Sequence, residues 1–240
     1  MKIIEKIKAK QANIGGERQP VIAFLGDSVT QGCFDIFVEN GEIQTDYQMG
    51  NGYHEKVKGI LQMLYPHTPI TMINAGICGD RANAGKDRLQ RDVLSYNPDL
   101  VVVCYGLNDA KGCENDINDY AAALEKIFVD VKNFGAEVIF MTPNLRTDKL
   151  EVSFDNDKLD DCAEDVAKNE NDGWLQKYLV EAKRVAKEND VVVCDCNKLW
   201  LMLKENDVNI NRLLSNRVNH PTDKMNWMFA YELVKTMFEK

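Results

Sequence analysis

No run of apolar residues in this 240-residue chain reaches the roughly 20 needed to cross a bilayer, so no membrane-spanning helix is expected. The first eight residues alternate charged with apolar side chains and lack the unbroken apolar core of a secretory signal. A cytoplasmic location is the expectation. Positive charge is also in short supply. Lysine plus arginine number 29 against 38 aspartates and glutamates, for a net charge of −9. That balance argues against nucleic-acid and anionic-membrane partners and suits a neutral or cationic small substrate. Prolines (6) and glycines (15) nowhere gather into a linker, and no repeat or low-complexity tract is evident. A single domain over 1–240 is therefore expected, with 1–19 as an N-terminal extension. The seven cysteines (33, 78, 104, 113, 162, 194 and 196) are odd in number and lack the spacing of a disulfide scaffold. They read as reduced and mostly structural. Cys194-Asp195-Cys196 has no second cysteine or histidine pair with which to hold zinc, so no metal site is expected. Composition says nothing of oligomeric state.

Five apolar segments read as strands: 21–25, 70–74, Leu100–Cys104, Glu137–Met141 and 191–194. Between them, 53–65, 121–134 and 174–186 carry apolar residues at helical spacing, and a helix over about 222–238 closes the chain. Strand, crossover helix, strand implies an α/β fold with a five-stranded parallel sheet covered on both faces. Two segments fall outside this pattern. Residues 33–51 are polar with Gly41 and Gly50, and 144–172 are long and acidic around Asp155 to Asp165. Both read as solvated excursions, or, more sharply, as walls or a lid over a site at the strand ends.

The first strand stops abruptly at Gly26-Asp27-Ser28 and continues as Val29-Thr30-Gln31-Gly32. In an open parallel sheet the carboxyl edge is where ligands bind. Alone, a serine there caps a helix; to act as a nucleophile it needs a base and donors for the oxyanion it creates. Three further places offer them. Asn74-Ala75-Gly76 ends the second strand, Gly106-Leu107-Asn108-Asp109 follows the third, and His220-Pro221 precedes the terminal helix. Gly76, lacking a side chain, would let a carbonyl approach its N–H, and Asn108 would add its side-chain amide. Of three histidines, His54 begins an amphipathic helix and His67 lies in a Pro-His-Thr-Pro turn, so both are expected at the surface. His220 is the candidate general base.

In this order, at strand ends, these blocks resemble those of the SGNH hydrolases, or GDSL esterases and lipases, over roughly residues 20–240. The resemblance implies a flavodoxin-like, three-layer α/β/α fold and a catalytic set of Ser28, Gly76, Asn108 and His220, with no cofactor. It also implies oxyanion donors in the Ser28 N–H, the Gly76 N–H and the Asn108 amide. Asp27 and Asp109 read as loop hydrogen-bonders; with Arg217 they are the candidate substrate-binding residues. One position departs from the family. Most SGNH enzymes carry an aspartate three residues before the histidine, where this chain has Arg217. A cation cannot orient the imidazole as a carboxylate does. A backbone carbonyl or asparagine oxygen would then hold the ring, leaving a Ser28–His220 dyad, or a remote acid such as Asp195 or Asp223 would stand in; the dyad is the favoured reading. The function expected is a serine esterase acting on a small O-acyl ester, acetyl on a carbohydrate, through acyl-Ser28. The alternatives are a flavodoxin-like non-catalytic binding protein and a degenerate hydrolase that retains sugar binding alone.

Overall fold

The computed structural model describes residues 1–239. Along the chain run α1 (Lys2–Ala12), β1 (Val21–Gly26), α2 (Ser28–Gln31), β2 (Cys33–Glu39), β3 (Glu42–Tyr47), α3 (Tyr53–Leu64), β4 (Thr71–Gly76) and α4 (Ala82–Asp92). They are followed by β5 (Leu100–Cys104), α5 (Ile117–Phe134), β6 (Glu137–Met141), α6 (Asp157–Asn171), α7 (Trp174–Glu188), β7 (Val192–Cys194), α8 (Cys196–Glu205) and α9 (Asp223–Phe238). Strands β4-β1-β5-β6-β7 form the five-stranded sheet, in that order, and every pairing in it is parallel. β1 and β5 are buried along their whole lengths, as strands covered on both faces must be. α3 packs on α9, and α5 on α4 and α7. Among the described residues no helix is long and apolar enough to cross a membrane.

The order creates the site. From β1 the chain passes to β4 on one side, then crosses back to β5 on the other, with Gly26 paired to both Gly76 and Cys104. At such a switch point the following loops diverge and leave a crevice outside the carboxyl ends. Ser28, the 77–80 loop and Asn108 all leave from that edge.

Several expectations give way. Residues 33–51, expected as a polar excursion, fold largely as the antiparallel β2–β3 hairpin, with a register shift between Cys33 and Ile36. The first 19 residues include α1, whose Ile3, Ile4 and Ile7 lie in the main apolar core. The first-turn N–H groups of α1, on Lys2 and Ile3, donate to the Glu137 carboxylate at 2.8 and 2.7 Å, which satisfies donors a helix start leaves open. The 144–172 segment is no solvated loop, since Asn144, Leu145, Arg146 and Thr147 are buried and α6 fills its second half. His54, expected at the surface, is buried, with its ring 5.9 Å from that of Phe24; His67 is exposed.

Candidate active site

Ser28 and His220 come from opposite ends of the chain, and both are 3% exposed. His220 Nε2 lies 3.0 Å from Ser28 Oγ, and Nδ1 lies 2.9 Å from the carbonyl oxygen of Phe34. A carbonyl can only accept, so Nδ1 carries the ring proton and Nε2 presents its lone pair to the serine O–H.

The Phe34 carbonyl is available because of how β2 is built. Cys33 pairs with Tyr47 and Ile36 with Thr45, so one extra residue is accommodated between them. A bulge of this kind unpairs a stretch of ladder and re-aims its backbone. The freed Phe34 oxygen accepts from His220 Nδ1 and from Ser215 Oγ, the latter at 3.0 Å.

His220 itself sits in a loop fixed from within. Asn216 Oδ1 accepts from the N–H groups of Val218, Asn219 and His220 at 3.0, 2.9 and 2.9 Å, and Ser215 N–H donates to the His220 carbonyl at 2.8 Å. Arg217, where a carboxylate would stand, takes a left-handed backbone (φ 56°) and turns outward. Its guanidinium lies 3.8 Å from the Phe154 ring centroid and donates to the Val152 carbonyl at 3.2 Å. Neither remote acid replaces it. Asp195 is engaged by Lys183 at 2.6 Å and Thr142 at 2.9 Å, and Asp223 by Lys56 at 2.6 Å.

Burial pushes the His220 imidazolium pKa down to about 4; the bond to Phe34 opposes this and the Lys111 charge adds to it. The ring is therefore neutral at pH 7, as a general base must be.

The oxyanion side departs from expectation at Gly76. Its N–H donates to Asn74 Oδ1 at 3.0 Å, and a Cβ there would lie 2.2 Å from the Gln31 backbone nitrogen. Gly76 is a glycine so that β4 can approach α2, and not to admit a substrate. The open position in that loop is Gly79, which the sequence reading missed. It is exposed, takes φ +77° with nothing near where a Cβ would stand, and has no internal acceptor for its N–H among the described residues. Its neighbours are tied to both sides of the crevice. Cys78 N–H donates to Gln31 Oε1 of α2 at 2.6 Å, and the Asp80 carbonyl accepts from Asn108 Nδ2 at 3.1 Å. One Asn108 amide hydrogen remains for a ligand.

The two aspartates expected to bind substrate are buried and engaged by backbone. Asp27 Oδ1 caps α2 by accepting from Val29 N–H at 3.0 Å, and Asp109 Oδ1 accepts from Ala82 N–H at the start of α4 at 2.9 Å. Burial raises their carboxyl pKa values to about 8 and about 6. Beneath them lies a network the sequence did not announce. Arg88 donates to Asp80 Oδ2 at 2.9 and 2.6 Å, to the Ala75 carbonyl at 2.7 Å and to the Gly26 carbonyl at 3.1 Å, and Tyr105 O–H donates to the same Asp80 oxygen at 3.0 Å. One buried guanidinium thus joins the ends of β1 and β4 to the residue that holds Asn108. A cavity of about 570 Å³ opens beside Lys111, Cys162 and Asn169; Ser28, Asn108 and His220 do not line it.

A buried serine bonded to a carbonyl-oriented imidazole at this sheet edge agrees with what the whole sequence resembles. Residues 24–228 match the GDSL-like Lipase/Acylhydrolase family. The chain belongs to that family. An acetylxylan esterase of Geobacillus stearothermophilus is 30% identical over 132 residues, which are 51% of this chain and 58% of that protein. A solved acetylxylan esterase from the same organism superposes with a TM-score of 0.68 at 21% identity, covering 92% of this chain and 95% of that one. A two-domain esterase active on acetylated mannans gives 0.67 at 18% identity, over 98% of this chain and 52% of that one. At these identities the superpositions speak to fold alone. Catalytic mutants of the Geobacillus esterase have been solved at a serine, at a histidine and at an aspartate three positions before it. In this chain Arg217 stands three positions before His220.

Proposed function

We propose that this GDSL-family chain is a serine esterase that hydrolyses a small O-acyl ester, acetyl on a carbohydrate, through an acyl-Ser28 intermediate. The observation that carries the reading is the hydrogen-bonded series Ser28 Oγ, His220 Nε2, His220 Nδ1, Phe34 O, at 3.0 and 2.9 Å. As Oγ attacks the carbonyl, Nε2 takes its proton; the imidazolium then protonates the leaving alcohol, and water repeats the sequence on the acyl-enzyme. The Phe34 carbonyl does one task of the missing aspartate, since it holds the ring in the right tautomer. It supplies only a partial charge to steady the imidazolium, so turnover is slower than with a carboxylate. The oxyanion donors in this reading are the Ser28 N–H, the Gly79 N–H and the free Asn108 amide hydrogen. Asp27, neutral below about pH 8, adds no repelling charge beside the developing alkoxide.

The acetyl and carbohydrate assignments draw on the acetylxylan esterase relative; the aligned part spans 58% of that protein, so its substrate is carried over as a proposal. Residues 1–240 are read as one domain, because a single apolar cluster draws on Ile3 of α1 and Met237 of α9. A cytoplasmic location is supported by the seven cysteines, all free in the fold, as a reducing compartment keeps them. Ser28→Ala should abolish turnover of p-nitrophenyl acetate and of acetylated xylo-oligosaccharides while the far-UV spectrum stays unchanged, and a fluorophosphonate should add its mass to the peptide containing Ser28. Full activity in Ser28→Ala, or an adduct elsewhere, would overturn the assignment.

A further inference from the structure

Two of the seven cysteines flank the machinery from opposite sides and converge on the Gln31 side chain. Cys33 lies between Gly32, which ends the helix carrying Ser28, and Phe34, whose carbonyl holds His220. Cys78 directly precedes Gly79. The Gln31 carboxamide oxygen stands 2.6 Å from the Cys78 nitrogen and 4.0 Å from Cys33 Sγ, and Cys78 Sγ is 3.6 Å from Thr45 Oγ1 on the same hairpin, so both cysteines are gathered around one side chain. Cys33 is buried whereas Cys78 is partly exposed, so an oxidant from solvent meets Cys78 first.

We propose that Cys33 and Cys78 form an oxidisable dithiol, closed to a disulfide by a hydroperoxide, and that closure switches off the site between them. The loss of activity rests on the esterase reading; formation of the bond does not. The two thiols are chemically unequal in the required sense. The neighbouring Cys33 thiol, with Thr45, Tyr47 and the Lys111 charge assisting against burial, holds the Cys78 thiol down to about 6, and Cys78 in turn pushes Cys33 up. Cys78 is therefore the thiolate at neutral pH and the better nucleophile.

With hydrogen peroxide the Cys78 sulfur attacks one oxygen, the O–O bond breaks, and the displaced hydroxide takes up a proton as the first water, leaving Cys78 as a sulfenic acid. The Cys33 sulfur then attacks the Cys78 sulfur. The S–S bond forms as the S–O bond breaks, and the hydroxyl departs with the Cys33 proton as a second water. Two thiols lose two electrons in all and one peroxide is reduced to two waters. Disulfide sulfurs stand about 2.05 Å apart, far closer than two thiols in contact, such as Cys194 and Cys196 at 3.6 Å. Closure therefore draws the Phe34 segment and the Gly79 loop together by on the order of 1 Å, a displacement that costs about 10²-fold when it falls on reacting groups.

The test exposes the full chain to hydrogen peroxide, maps thiols by mass spectrometry, and follows p-nitrophenyl acetate turnover before and after dithiothreitol. A Cys33–Cys78 linked peptide, a fall in kcat/KM of about 10²-fold, recovery on reduction, and retained turnover in Cys78→Ser under the same exposure are expected. Cys33→Ser serves the same comparison should Cys78→Ser fail to fold. Absence of the linked peptide overturns the dithiol. A linked peptide with undiminished turnover, or equal inactivation of the serine variants, overturns the switch. If no ester is turned over at all, the linked peptide still decides the dithiol, and fluorophosphonate labelling decides the esterase.

Discussion

At the scale of single residues, a backbone carbonyl and not a carboxylate holds the His220 ring. That sets the pH behaviour. Burial favours neutral imidazole, so the proposed general base stays competent until pH falls through about 4, well below the ordinary histidine value near 6.5. The acid limb of kcat/KM against pH should therefore lie near 4; a limb near 6.5 would mean that the ring is solvated or paired with an anion. Two glycines three positions apart make a second test. Gly76→Ala places a methyl 2.2 Å from backbone and should unfold or grossly destabilise the chain. Gly79→Ala meets open space but must keep φ +77°, a strain of about 1–2 kcal/mol. It should leave a folded protein whose kcat falls more than its KM rises, measured by steady-state kinetics beside a thermal melt. The sequence marked Ser28, Asn108 and His220 because each stands in a short local pattern at a strand or helix end. It misplaced the glycine because the Asn74 oxygen that occupies the Gly76 N–H, and the α2 backbone pressed against its Cα, become visible only once β4 lies beside α2.

At the scale of elements, the segments that looked like surface excursions are the ones that hold the site in register. The β2–β3 hairpin supplies Phe34. Helix α6 is pinned at its end by Arg146, which is 1% exposed and donates to Glu170 at 2.9 Å, to Asn169 Oδ1 at 2.7 Å and to the Leu107 carbonyl at 3.3 Å. Beneath α6, Ala163 and Val166 pack on Val218, two residues from His220. Arg146→Met would leave Glu170 buried without its partner, a loss of about 3–5 kcal/mol. That corresponds to a fall in Tm of roughly 6–20 °C for a chain of this size, read by calorimetry. An unchanged Tm would mean that α6 is loosely held. The acidic composition of 144–172 concealed this anchoring, because the decisive residue is one arginine whose partners come from the 107 loop and α6. α4 was hidden for a similar reason: its first N–H is capped by Asp109 from another loop, and its inward face carries Arg88 where a sequence pattern looks for apolar residues.

Across the whole molecule, buried ionisable groups pull the pH dependence of stability in opposite directions. His220 is depressed from 6.5 to about 4, so the unfolded chain binds the extra proton between those values and stability is lost as pH falls through that window. Asp27 is raised from 3.8 to about 8. There the folded chain binds the extra proton, and stability is lost as pH rises from 3.8 toward 8. Cys78, depressed from 9.0 to about 6, adds stability as pH rises from 6 to 9. Asp109, raised from 3.8 to about 6, adds to the loss over the lower part of the Asp27 span, and because the windows overlap only the difference between variant and wild type isolates one group. Asp27→Asn keeps the Oδ1 acceptor for Val29 N–H and removes the ionisation. Its Tm relative to wild type should climb as pH goes from about 4 to about 8 and then level off. A constant difference would show that Asp27 ionises in the fold as freely as in water.

The sequence by itself determined the α/β class, the five strands with slightly shifted ends, and the serine and histidine that the fold brings into contact. Each of these is written in local spacing: apolar runs of strand length, helical periodicity between them, and turn residues at the carboxyl ends. Only the tertiary structure decided what orients His220, which glycine faces the crevice and why Arg217 turns away. Those answers depend on backbone carbonyls and N–H groups, which every residue carries alike. Which of them lie free, and which are taken, is settled when segments as far apart as Phe34 and His220 are packed side by side.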